Sequence, residues 1–203
     1  MNKKTHWENI YKTKQTEEVS WYQAHPESSL KMIEAAKLPR NAAIIDVGGG
    51  DSRLIDCLIE RGYENLTILD ISGEALKRAK ERLGNLGQKV QWIEADITEF
   101  NPSEKFQFWH DRAVFHFLTD PKDRSRYLSV MERSLAFPAW IMIAAFAADG
   151  PKKCSGLAVQ RYSHKSLQET LGPEYQMKVS DQETHLTPQG YQQKFVYTLF
   201  RKE

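Results

Sequence analysis

Four short runs of this sequence carry side chains whose types and spacing could do chemistry together. In Asp46-Val47-Gly48-Gly49-Gly50-Asp51-Ser52, three glycines follow a carboxylate. Glycine lets the backbone turn tightly and approach a ligand with no Cβ in the way. The unpaired amides of a following helix then favour a carboxylate or a phosphate. Asp70 and Asp96 each close a further apolar run. Trp109-His110-Asp111-Arg112, with His116 one turn on, brings imidazole, carboxylate and guanidinium groups together. A neutral histidine takes a proton from a hydroxyl, thiol or amine, or is simply satisfied by backbone at a strand end. Asp111 either orients Arg112, holds an amine or accepts a proton; equally, the two only pair. His110, Asp111 and His116 do not make a convincing metal ligand set, so no metal is expected.

The elements that must position these residues follow from periodicity. Residues 5–13 and 26–37 read as helices, with the aromatic Glu18-Val19-Ser20-Trp21-Tyr22 segment between them. From residue 42 the pattern becomes alternating strands and helices. Strands are expected at 42–47, 66–70, 90–95, 106–110 and 139–147. Helices are expected at 52–61, 73–84, 122–135 and 163–171. Runs at 175–185 and 191–201 around Thr187-Pro188-Gln189-Gly190 read as an antiparallel hairpin. Strands alternating with helices imply a mostly parallel sheet with right-handed crossovers, and ligands then sit beyond the carboxyl ends of the strands. No linker or repeat interrupts the chain, so residues 1–203 are expected to form one domain, 1–40 a helical cap and 41–203 the core.

Composition narrows the class. The 203 residues are 40% hydrophobic and 27% charged, ordinary for a globular protein. Lys plus Arg is 28 and Asp plus Glu is 27, a net +1 that argues against a chain built to grip nucleic acid. Two cysteines cannot form a disulfide framework or a zinc cluster. No apolar run is long enough to cross a membrane, and the polar N-terminus does not resemble a secretory signal, so a cytoplasmic location is expected. Oligomeric state is open.

The glycine turn does not fit the common nucleotide motifs. Gly48 and Gly50 match the first two places of a dinucleotide fingerprint, but its third glycine falls on Arg53. No Gly-Lys-Ser or Gly-Lys-Thr marks a P-loop. Asp46-x-Gly48-x-Gly50 instead resembles the first motif of class I S-adenosylmethionine-dependent methyltransferases. Asp70 and Asp96 fall where that family carries acids after the next two strands. The opening Trp7-Glu8-x-x-Tyr11, the Val19-Ser20-Trp21-Tyr22 segment and Asp111-Arg112-Ala113 look like a subgroup of small-molecule and protein-lysine methyltransferase-like enzymes.

The resemblance implies an α/β Rossmann-like, doubly wound sheet with a C-terminal antiparallel hairpin and an N-terminal helical cover. It implies that Asp46, Gly48, Gly49 and Gly50 lie against the methionine part and ribose of S-adenosyl-L-methionine. Asp70 would accept from the ribose hydroxyls, Asp96 and Ile97 would meet the adenine edge, and Ile71 its face. Trp21 and Tyr22 would close over the cofactor or anchor the N-terminal helices. His110, also near the cofactor, would stand with Asp111, Arg112 and His116 at the methyl centre as candidate catalytic groups. The loop from Phe146 to Leu157, with Cys154, and the later Arg161, Tyr162 and His185 are weaker candidates for shaping the acceptor pocket. The acceptor would be a small molecule or a protein side chain, and S-adenosyl-L-homocysteine the product. The competing readings are a nicotinamide-dependent oxidoreductase and a non-catalytic cofactor-binding partner protein.

Overall fold

The computed structural model describes residues 2–203. Five parallel strands form from the β-branched and aromatic runs: β1 (Ala43–Val47), β2 (Asn65–Asp70), β3 (Val90–Glu94), β4 (Phe106–Arg112) and β5 (Leu135–Phe146). The terminal hairpin, β8 (Gln176–Leu186) with β9 (Gln192–Lys202), pairs antiparallel and adds β9 beside β5. The sheet order is β3-β2-β1-β4-β5-β9-β8, so the order reverses between β1 and β4. That reversal is the crevice where an open α/β sheet holds its ligand. A two-residue turn at Ser155 and Gly156, both at positive φ, closes a small β6 (Lys153–Cys154) and β7 (Leu157–Ala158) hairpin. The sequence reads as a plain loop there.

Alternate residues of the central strands face opposite sides, and both sides are buried. On one face Ile44, Phe108 and Met142 pack with α2 (Glu27–Ala35), α3 (Leu54–Glu60) and α4 (Gly73–Leu83) through Leu30, Leu58 and Leu76. On the other, Ile45, Trp109 and Ile141 pack with α5 (Pro121–Ser134) and α6 (His164–Leu171) through Tyr127 and Leu167.

The expected cap divides. Helix α1 (Lys3–Thr13) crosses the carboxyl ends of the strands, with Lys4 paired to Glu94 at 2.5 Å and Lys3 to Asp123 at 2.6 Å. Helix α2 instead belongs to the sheet face, since Leu30 and Ile33 are 1% exposed. Two strands also run further than their apolar runs suggest. β4 continues past His110 to Arg112, and β5 begins at Leu135.

Candidate active site

The glycine turn leaves β1 under tight steric limits. Gly48 and Gly50 have φ of +64° and +48°, where a side chain is strained. A Cβ on Gly48 would sit 2.0 Å from Val114 Cγ2, and one on Gly50 would sit 2.7 Å from the Tyr11 hydroxyl and 3.0 Å from Asp70 Oδ2. The turn is therefore packed between the end of β4, α1 and the end of β2.

Beyond the strand ends lies a cavity of about 300 Å³, a size that suits a small-molecule ligand. Its floor on the β2–β3 side holds Gly48, Asp70, Ile71, Asp96 and Ile97. Asp70 is 6% exposed, and its Oδ1 accepts from the Ser72 amide at 2.8 Å. Burial, opposed by that amide and reinforced by the charges of Asp46 and Glu8, pushes its pKa up to about 7. Asp96 Oδ1 is held by the Thr98 amide and hydroxyl, both at 2.8 Å, which leaves Oδ2 for a ligand. Ile71 and Ile97 supply apolar walls on the same side.

The roof is aromatic. Trp7 and Tyr11, one helical turn apart on α1, meet Trp21 edge-on at 5.7 and 6.1 Å, and Trp7 meets Phe117 at 5.1 Å. All four line the cavity. Tyr22 does not. It lines an adjoining recess of about 50 Å³ beneath the glycine turn, together with Asp46, Ser29 and Gly49, and this recess shares Gly48, Tyr11, Trp21 and Arg112 with the cavity.

That recess also takes His110, the residue expected at the methyl centre. Its Nδ1 lies 2.6 Å from Asp46 Oδ1 and its Nε2 lies 2.9 Å from Ser29 Oγ, all three residues being buried. With both ring nitrogens engaged and no place on the main cavity wall, His110 ties β1, β4 and α2 together. Asp46 likewise lines this recess. Its Oδ2 is buried without a partner, and a Cβ on Gly49 would sit 2.5 Å from it.

Asp111 is likewise engaged within the fold. It is fully buried, its Oδ1 accepts from the Val114 and Phe115 amides at 2.9 and 3.2 Å, and its Oδ2 accepts from the Tyr127 hydroxyl at 2.6 Å. Burial raises its pKa to about 6 despite those donors. It shapes the turn after β4 and does not line the cavity.

Arg112 and His116 do line the cavity, on the side of β5 and β9. Beside them stand Cys154, Leu157, Gln193 and Phe195, of which only Cys154 is singled out by sequence. Burial raises the Cys154 thiol. The cavity thus has an acidic end and a cationic end, joined under one aromatic roof. Arg161, Tyr162 and His185 do not line it.

Residues 44–136 match the model of a methyltransferase domain family. The matched residues run from β1 to the start of β5. The chain is 27% identical over 133 residues to the eEF1A lysine and N-terminal methyltransferase of Bos taurus, across 64% of the chain and 18% of that protein. It is 23% identical over 161 residues to the EEF1A lysine methyltransferase 2 of Mus musculus, across 69% of the chain and 64% of that protein. The chain therefore spans less than two thirds of either relative. A solved structure described by the conversion of a disulfide bond into a thioacetal group during echinomycin biosynthesis superposes with a TM-score of 0.80 at 15% identity, covering 98% and 93% of the two chains. A Burkholderia thailandensis 1,6-didemethyltoxoflavin-N1-methyltransferase, solved with S-adenosylhomocysteine, superposes with a TM-score of 0.75 at 18% identity, covering 98% and 86%. These likenesses show the fold, and the structure itself carries the antiparallel β8–β9 edge expected from sequence.

Proposed function

We propose that this chain moves a methyl group from S-adenosyl-L-methionine to an acceptor, either a small molecule or a protein side chain, and releases S-adenosyl-L-homocysteine. The observation that carries this reading is the acidic end of the cavity: Asp70 and Asp96, at the ends of adjacent strands, face one space walled by Ile71 and Ile97. A buried carboxyl with no cation at hand is costly unless a ligand supplies donors. Two ribose hydroxyls suit Asp70, an exocyclic amine suits Asp96, and the two isoleucines suit the faces of a purine. When bound, the cofactor supplies an electrophilic methyl carbon on a positively charged sulfur. The faces of Trp7, Tyr11 and Trp21 favour such a cation, and Gly48 gives close approach to the backbone. The names of the curated relatives and of the solved neighbours support the reading.

Two buried, unpaired thiols, Cys57 and Cys154, suit a reducing cytoplasm. Among the described residues no helix is long and apolar enough to cross a membrane. Calorimetric titration with S-adenosyl-L-homocysteine tests the proposal. A dissociation constant of order micromolar is expected, and no heat from folded protein would overturn it.

A further inference from the structure

The cationic end of the cavity carries polar atoms that the fold leaves without partners. Arg112 Nε donates to the Tyr197 hydroxyl at 2.9 Å and Nη1 donates to the Trp21 carbonyl at 3.1 Å, while the buried Nη2 has no partner. The guanidinium lies 4.8 Å over the Phe195 ring. Among the described residues no carboxylate lies within ion-pair distance of Arg112, and Glu183 Oε1 accepts instead from Gln23 at 2.6 Å.

His116 is fully buried, and its Nδ1 accepts the Phe146 amide at 3.3 Å. In the neutral ring the proton therefore sits on Nε2. Burial and the Arg112 charge keep the ring neutral by lowering its pKa to about 3. Nε2 is also without a partner, as is Gln193 Oε1. These three side chains come from the end of β4, the turn after it and β9, yet all line one wall. An orphaned buried donor costs free energy unless a ligand accepts its hydrogen bond.

The two fixed atoms are both donors, and one carries charge. Their complement is an anionic oxygen. A lysine ammonium would meet Arg112 with like charge, and the carboxylates lining the cavity, Asp70 and Asp96, stand at its other end. Apart from Asp70 and Asp96 at the other end, the cavity lacks a free base. His110 is engaged at both nitrogens outside it, Asp111 is held by three donors, and His116 presents its protonated nitrogen.

We propose that the acceptor is a small aromatic acid, bound as its anion by Arg112 and His116 beneath the aromatic roof, and not a lysine side chain. This rests on the methyl-transfer reading above. The acceptor's anionic oxygen uses a lone pair to form the bond to the methyl carbon. The former carbon–sulfur pair stays on sulfur, the negative and positive charges cancel, and no proton has to be removed.

Benzoate, benzamide and benzylamine share a ring and differ in charge, so they serve as probes. Each is titrated by calorimetry into protein saturated with S-adenosyl-L-homocysteine. Benzoate is expected to bind at least about tenfold more tightly than benzamide, with no heat from benzylamine. Arg112→Gln should weaken benzoate by about tenfold or more, Arg112→Lys by less, and His116→Phe by several-fold. S-adenosyl-L-homocysteine binding, measured first on every variant, shows that the variant is folded and tests the methyl-transfer reading separately. If the cofactor product binds but benzylamine matches benzoate, the acceptor assignment falls alone. The same holds if folded Arg112→Gln and His116→Phe both keep full benzoate affinity. If the wild-type protein does not bind the cofactor product, both readings fall.

Discussion

Asp46 and His110 lie side by side on β1 and β4, carboxylate oxygen to imidazole Nδ1 at 2.6 Å, directly under the glycine turn. Their backbones are partners in the parallel ladder, so the pair spans the point where the strand order reverses. Ser29 on α2 closes the other side of the ring. The pair fixes the floor on which the turn is built.

Breaking this pair should therefore cost stability first. His110→Ala leaves Asp46 buried without its partner, a loss of about 1–3 kcal/mol, or a melting point lower by roughly 2–4 °C per kcal/mol for a chain of this size. Differential scanning calorimetry reads this directly. A variant with an unchanged melting point and abolished turnover would return His110 to the role of a proton acceptor.

Asp70 should give cofactor binding a pH dependence. Its raised pKa of about 7 means that the folded protein holds this proton more tightly than the unfolded chain does. This contribution to stability is present in full below the unfolded carboxyl value and is lost as pH rises towards 7. Donors from a ribose require the ionised form, so affinity for S-adenosyl-L-homocysteine should rise between pH 6 and pH 8. Asp70→Asn should weaken binding by about tenfold, worth ~1.4 kcal/mol, and flatten that slope. Titrations at the two pH values decide it, and an Asn variant that keeps the slope would clear Asp70 of the role.

Gly48 tests the turn. Gly48→Ala meets Val114 Cγ2 at 2.0 Å and also forces alanine to a φ of +64°. The backbone part alone costs about 1–3 kcal/mol. Pairing the change with Val114→Ala removes the colliding methyl and leaves the Val114 Cβ at 3.5 Å, an ordinary contact. Denaturant unfolding should show partial rescue in the double variant. Full rescue would mean that φ carries no penalty there.

Tyr127→Phe removes the donor to Asp111 Oδ2 and the acceptor of the Trp109 Nε1 hydrogen bond at 2.8 Å. A loss of about 1–3 kcal/mol is expected from the stranded groups. Cofactor binding should change little at temperatures where the variant is folded. A large drop in affinity with unchanged stability would show that Asp111 serves the ligand directly.

The sheet and its acidic end were legible in sequence because they are local. A glycine run after β1, and an acid at or just beyond the ends of β2 and β3, need only strand periodicity to be placed. The cationic end was legible only in part: Arg112, His116 and Cys154 stood out, but antiparallel pairing of β9 with β5 brings Gln193 and Phe195 to the wall from far along the chain. His110 lies deeper in β4 than its apolar run suggests. The apolar pattern stops there, but β4 continues through Arg112, so the residue delivered to the strand end is Arg112. Trp7 and Tyr11 have the spacing of one helix face, yet nothing nearby in sequence says what that face covers.

Glu8 makes the start of α4 depend on where α1 sits. From α1 its Oε1 accepts the Gly73 amide at 2.6 Å and the Glu74 amide at 3.4 Å, just past Asp70 and Ile71. A carboxylate at a helix start is worth roughly 0.3–1 kcal/mol, so lifting α1 from the cavity returns those amides to water. Exchange of ligand and fraying of that first turn become one event, and the amide hydrogens of Gly73 and Glu74 serve as a clock for it.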